Sequence, residues 1–151
     1  MSKSARQQIV ERLRNAGYKL TKPRQHVAEV LLESHRHLSA PEIVELVLAT
    51  DDSIGRMSVY RTLELFASLG IVRPAFQDGP HAHYVVILDG HHHHLVCQQC
   101  GKVVHFDDMP CPVQELEKQL GDTYGFHISG HFLEFFGECH ECHQKLHAES
   151  H

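Results

Sequence analysis

Residues 91–102 read HHHHLVCQQCGK. Four histidines run directly into a C-x-x-C pair and a glycine-lysine turn. Two residues between Cys97 and Cys100 let both thiolates turn toward one ion, and Gly101 supports the tight turn. A second pair, Cys139 and Cys142, follows after 38 intervening residues. That gap exceeds finger and ribbon spacing, so a shared ion would tie the chain end back to the middle of its domain. Four thiolates form a closed tetrahedral set with no open position, which is the pattern of structural zinc. A redox pair is the competing reading of one C-x-x-C; two pairs in one segment weigh against it.

The histidine run has a geometry of its own. In an extended segment alternate side chains face opposite ways. His91 and His93 would point to one side, His92 and His94 to the other, so one tetrapeptide can feed two metal sites. The competing reading is a solvated polar turn. The fifth cysteine, Cys111, sits just before Pro112, where a helix can start, and is either a ligand or a structural thiol. The tail from His140 is polar and histidine-rich and is expected to fray. Its His140, His143, His147 and His151 are expected to be solvated or opportunistic ligands.

Upstream the texture differs. All five cysteines and 11 of the 16 histidines lie after residue 85. The net charge of −5 is uneven: residues 1–85 carry 11 Lys+Arg against 9 Asp+Glu, and residues 86–151 carry 3 against 10. A mildly basic first half thus precedes an acidic, metal-ligand-rich second half. A hydrophobic fraction of 42% supports packed cores, and no apolar run approaches the ~18–20 residues of a membrane span. The opening MSKSARQQIVERLRNAG lacks the apolar stretch of an export signal. The expected protein is cytoplasmic, with no membrane partner.

Helical spacing of Ile9, Leu13 and Ala16 predicts a helix over 4–16, stopped by Gly17. A second helix is predicted from Pro23 to about Ser34 with Val27, Val30 and Leu31 inward. A third opens at the capping box Ser39-Ala-Pro-Glu42, with Ile43, Leu46 and Val47 inward, and ends at Asp51-Asp52. A fourth starts near Ser58 as N-cap and stops at Gly70. Ile71–Arg73 and Tyr84–Leu88 read as strands joined by a turn at Gly79-Pro80. Helices followed by a hairpin give a winged helix-turn-helix; a generic small helical domain fits the pattern about as well. Asp89-Gly90 marks a boundary. Beyond it, Leu95-Val96, Val103–Phe106 and Ile128–Phe136 read as strands. A helix is predicted from Pro112 through Leu116 and Leu120.

Several stretches together carry a resemblance over about residues 8–142: AGYKLTKPRQHVAEVLL, HLSAPEIVE, GRMSVYRTLELFASLGIV, HHHHLVCQQCGKVVHF, GFHISGHFLEFFGEC and the final C-x-x-C. The sequence resembles the ferric uptake regulator superfamily, and is most like its zinc uptake regulators. The resemblance implies an α+β fold. A winged helix-turn-helix DNA-binding domain over 1–88 is followed by a small α/β dimerisation domain over 89–151 that holds the four-cysteine zinc site. It implies a homodimer that, when metal-loaded, sits on palindromic double-stranded operator DNA and represses transcription. SVYRTL opens the recognition helix, which places Ser58, Tyr60 and Arg61 at the DNA with Lys19, Arg24 and Arg56 as further contacts.

The resemblance also assigns two regulatory sites. The first takes His37, His92 and His94. Where the family has an acidic residue near the wing's end this sequence has Val85, so His83, or His81, is the substitute. Where the family has an acidic residue after the knuckle it has His105. The second takes His91, His93 and His131. The family's helix glutamate is Gln114 here, which leaves Cys111 or Glu115 to complete the set. Imidazole and thiolate in place of carboxylate favour Zn2+ as the signal, with Fe2+ or Mn2+ as alternatives. The competing functions are an iron-, manganese- or peroxide-responsive regulator and a zinc storage protein. An enzyme is not expected: H-E-x-x-H, P-loop and Ser-His-Asp patterns are absent from the sequence.

Overall fold

A computed structural model describes residues 3–34, 37–75, 82–88, 90–106 and 109–148. The turn expected at Gly79-Pro80, and with it His81, lies outside these residues, as does the side chain of His91. The chain divides into two compact units, Met1–Leu88 and Asp89–His151.

The first unit begins with α1 (Ala5–Asn15), opened by a capping box between Ser4 and Gln7. Helix α2 (Lys22–Glu33) has proline in its first turn, where the missing N–H costs nothing. Strand β1 (Leu38–Ser39) leads into α3 (Ala40–Thr50). Ser39 accepts from the Glu42 N–H and Glu42 accepts from the Ser39 N–H, which satisfies two donors that the helix start would leave open. Helix α4 (Arg56–Ser68) is followed by β2 (Val72–Ala75) and β3 (His83–Val86). The sheet order is β1-β3-β2, all antiparallel. Ile9, Leu13, Val27, Ile43, Val47, Val59, Leu63, Phe66 and Ile71 meet in one core. Full burial of each large side chain contributes about 1.5–3 kcal/mol, which holds the helices to the sheet. Arg12 ties α1 to the C-terminal end of α4 by donating to the Gly70 carbonyl at 2.6 Å.

Two expectations change here. The N-cap of α4 is Gly55, not Ser58, because the N–H groups of Ser58 and Val59 both reach the Gly55 carbonyl and extend the helix backward by a turn. Ser58 is the third helical residue. In α3 the inward residues are Ile43, Val44 and Val47, and Leu46 faces out at 43% exposure. The buried stripe runs through the i, i+1, i+4 positions rather than i, i+3, i+4.

The second unit holds β4 (Gly90–Cys97), β5 (Val103–His105), α5 (Gln114–Tyr124), β6 (Gly130–Gly137) and α6 (His140–Ala148). The sheet order is β5-β4-β6. β4 pairs antiparallel with β5 and parallel with β6. A parallel pair needs a long crossover, and β5 with α5 supplies it. Gly130 lies opposite Gly90, and a Cβ there would overlap the Gly90 backbone, so the close approach requires glycine. The tail is not frayed from His140: α6 starts there, with the His143 N–H on the Cys139 carbonyl at 2.8 Å. The second cysteine pair nucleates that turn. Among the described residues no helix is long and apolar enough to cross a membrane.

Candidate metal centres and the exposed face of α4

Cys97 ends β4, Cys100 sits on the following turn, Cys139 follows β6 and Cys142 lies on α6. Parallel pairing of β4 with β6 sets Cys97 beside Gly137, which brings the two knuckles together. One sulfur from each cysteine falls within 4.8 Å of the others, and Cys100 Sγ is 3.9 Å from Cys139 Sγ. A tetrahedron with Zn–S of about 2.3 Å has an edge of about 3.8 Å, which the Cys100–Cys139 separation matches, and the four sulfurs are close enough together to close on such an ion. The electrostatics agree. Backbone N–H groups of Cys100 and Cys139 hold the Cys97 thiol down to about 6. Hydrogen bonding with Cys139, then burial, pushes Cys142 up to about 12. Four thiolates do not accumulate here without a cation, so ion binding must displace protons.

A second cluster is built on the face of β4 that carries His93. His93 Nε2 lies 2.8 Å from His131 Nε2, and Cys111 Sγ lies 3.4 Å from each. His131 comes from β6 and Cys111 from the segment before α5. Phe106 stacks on His93 at 5.3 Å and limits its ring rotation. Behind His131, Glu117 of α5 accepts from Nδ1 at 2.6 Å. That bond puts the His131 proton on Nδ1 and aims the Nε2 lone pair at His93 and Cys111. The structure therefore brings together His93, His131 and Cys111. Glu115 does not belong to this group of donors among the described residues.

On the opposite face of β4, His94 packs edge-on against His105 at 4.2 Å and against Phe132 at 4.9 Å. His94 Nδ1 is 3.8 Å from Glu134 Oε2, with both side chains buried. Burial alone raises the Glu134 carboxyl to about 7. His92 is half-buried and shares the parity of His94. In the first unit, His37 is buried just before β1. Val85 is buried. His83 lies on β3 with Nε2 3.9 Å from Glu42 Oε1 and joins no group of three donors among the described residues.

Glu134 and Glu117 are not among the residues expected from the sequence. Glu134 becomes a neighbour of His94 only through the parallel register of β4 and β6. Glu117 has one local signal, since it lies on the same helical face as Gln114, three residues away.

The outer face of α4 presents Arg56, Met57, Tyr60 and Arg61 to solvent, while Val59, Thr62, Leu63 and Phe66 anchor the helix in the core. Ser58 is half-buried, its carbonyl capped by Thr62 Oγ1 at 2.7 Å. Lys19 is exposed; Arg24 donates to the Lys19 carbonyl at 2.8 Å and lies over the Tyr18 ring at 5.2 Å. Arg24 is thus held at the start of α2 by two contacts.

The sequence profile of the Ferric uptake regulator family matches residues 15–136. The Ferric uptake regulation protein of Legionella pneumophila is 32% identical over 133 residues, covering 87% of this chain and 96% of that protein. The solved structure of the Helicobacter pylori ferric uptake regulator, described as having three functional metal binding sites, is similar at a TM-score of 0.64. It shares 27% identity and covers 95% of this chain and 97% of its own. A zinc-bound manganese uptake regulator is similar at a TM-score of 0.59 and 28% identity, covering 90% and 98%. With the profile spanning most of the chain and a curated relative 32% identical over 87% of it, the chain belongs to the ferric uptake regulator family.

Proposed function

We propose that this protein is a metal-dependent transcriptional repressor, most responsive to zinc, that binds palindromic operator DNA as a homodimer when its histidine sites are loaded. The observation that carries the metal choice is the cluster of His93, Cys111 and His131, backed by Glu117. Two imidazoles and a thiolate suit zinc and are poor ligands for manganese. The cysteine quartet is assigned a structural zinc that closes the second unit. His91 is the proposed fourth partner of the cluster, on the strand parity of His93.

The DNA reading rests on α4. Tyr60 and Arg61 stand on its exposed face, with Arg56 at its first turn and Lys19 and Arg24 near the start of α2. Ser58 is half-buried and contributes through its position at the helix start. The homodimer reading rests on the sheet of the second unit. Leu95, Val104 and Phe135 share one row across β4, β5 and β6 and are 46%, 40% and 50% exposed. An uncovered apolar row at the centre of a sheet calls for a second copy to cover it.

The family resemblance draws the regulatory ligands from both units: His37 and His83 from the first, and His92, His94 and His105 from the second. A metal taking ligands from both fixes the angle between them, and in a dimer that angle sets the spacing of two α4 helices. Successive major grooves lie about 34 Å apart, so only some angles fit DNA. Metal affinity and DNA affinity are then linked reciprocally.

Iron or manganese is the second reading, and Glu134 favours it: a buried carboxylate beside His94 is an oxygen donor that Fe2+ and Mn2+ accept readily. Competition titrations of the quartet-loaded protein with Zn2+, Mn2+ and anaerobic Fe2+ separate the two. Zinc should bind most tightly, and Cys111→Ser should weaken zinc much more than manganese. Equal zinc affinity in wild type and Cys111→Ser would overturn the zinc assignment.

A further inference from the structure

One group of metal-ligand side chains is used by neither the quartet nor the two histidine clusters above. Glu138 follows β6, and His143 and His147 lie on α6. The two histidines are four residues apart, so their rings leave the helix on one face one turn apart. Their centroids are 4.1 Å apart. Both rings turn toward the same carboxylate oxygen: His143 Nδ1 is 2.9 Å from Glu138 Oε2, and His147 Nε2 is 3.6 Å from it. One donor atom from each residue falls within 4.8 Å of the other two. Both histidine side chains are 59% exposed, so solvent can fill the remaining coordination positions.

A plain surface ion pair explains this arrangement poorly. Exposed pairs hold side chains weakly, and one carboxylate oxygen gains little from a second donor at 3.6 Å. Two imidazole nitrogens and one carboxylate oxygen converging at an open corner form a ligand set for a late first-row divalent cation, which displaces the proton that His143 Nδ1 shares with Glu138. The surroundings add a consequence. Glu138 directly precedes Cys139, and Cys142 directly precedes His143. Any ion held by Glu138, His143 and His147 therefore bridges the end of β6 to α6 across the second half of the quartet.

We infer that Glu138, His143 and His147 form an exchangeable surface site for Zn2+, also open to Ni2+ and Cu2+, whose occupancy clamps α6 against the end of β6. By linkage, an ion at this site stabilises the arrangement in which Cys139 and Cys142 face the quartet. The site does not depend on the regulator reading. It would stand if the protein failed to bind DNA, and its own failure would leave that reading intact.

The test uses the full chain with its quartet loaded. Bound zinc is counted at buffered free Zn2+ for wild type and for the double variant His143→Ala/His147→Ala. Both side chains are exposed, and circular dichroism checks that helicity is kept. The double variant should bind one equivalent less; equal equivalents overturn the site. Glu138→Gln keeps both imidazoles and should weaken the last equivalent at least about tenfold. Unchanged affinity in that variant overturns the three-ligand assignment. Amide exchange reads the clamp. Zn2+ should slow exchange across α6 several-fold in wild type and not in the double variant. A lost equivalent without any change in exchange overturns the clamp.

Discussion

Glu117 supplies the most exacting test of how the second cluster works. Its carboxylate accepts from His131 Nδ1 at 2.6 Å, on the far side of the ring from the Nε2 that faces His93 and Cys111. The two side chains are 17% and 20% exposed, so water screens the pair only in part. The carboxylate makes the imidazole a better donor and holds its ring in place. Removing such a partner weakens metal binding by about 10–100-fold, or about 1.4–2.7 kcal/mol. Glu117→Gln keeps an acceptor and loses the charge, so the expected loss is about tenfold. Glu117→Ala loses both and should approach about 100-fold. Co2+ is the probe, added to protein whose quartet is already filled with zinc, so that the charge-transfer band from the Cys111 thiolate reports this cluster, and a competing chelator fixes the scale. Denaturation midpoints of the metal-free variants check that the fold is unchanged. If Glu117→Ala binds Co2+ as wild type does, Glu117 does not support the ligand, and its hydrogen bond to His131 plays no part in metal binding.

Other consequences are open to simpler assays. Gly130→Ala places a methyl against the Gly90 backbone and should cost about 1–3 kcal/mol in urea denaturation of the full chain; an unchanged midpoint would mean β4 and β6 can separate freely. Ser39→Ala removes the acceptor at the start of α3 and should cost about 1 kcal/mol by thermal unfolding. Asp51 is held below its ordinary value of 3.8 by hydrogen bonds from Lys22, then Ser53. A depressed carboxyl stabilises the fold above its unfolded value, and that contribution is lost as pH falls below about 4. The Tm difference between wild type and Asp51→Asn should therefore be present at pH 6 and shrink steadily below pH 4. A difference that is flat with pH rules out the ion pair as its cause.

The sequence was most legible where the signal is local. The Ser39–Glu42 capping box announces α3, and the Gly17 stop announces the end of α1, because each acts within one turn of chain. The His91–His94 run could be given two faces because a strand has period two, and β4 is a strand throughout the run. The structure departs from the local signals where two local rules compete. Ser58 is a good N-cap residue, but Gly55 is also accepted there, and Arg56 and Met57 favour helix, so α4 starts earlier. The tail looked polar enough to fray, yet the C-x-x-C at 139–142 fixes a first helical turn that its neighbours continue. What periodicity could not give was anything resting on register between distant strands. Glu134 meets His94, and Cys97 meets the second knuckle, only because β4 and β6 pair in parallel. Two-residue β1 carries too little sequence to be seen at all.

In the proposed function, metal at the histidine sites controls DNA affinity. Fluorescence anisotropy of a labelled palindromic AT-rich duplex measures it most directly, with quartet-loaded protein at buffered free Zn2+ and at fixed salt, since phosphate contacts make affinity salt-dependent. Loading should raise affinity by at least about tenfold, within the range of about 5–150-fold typical of such coupling, and His94→Ala should remove the rise. DNA affinity that is the same with and without metal, in wild type and His94→Ala alike, would contradict the account.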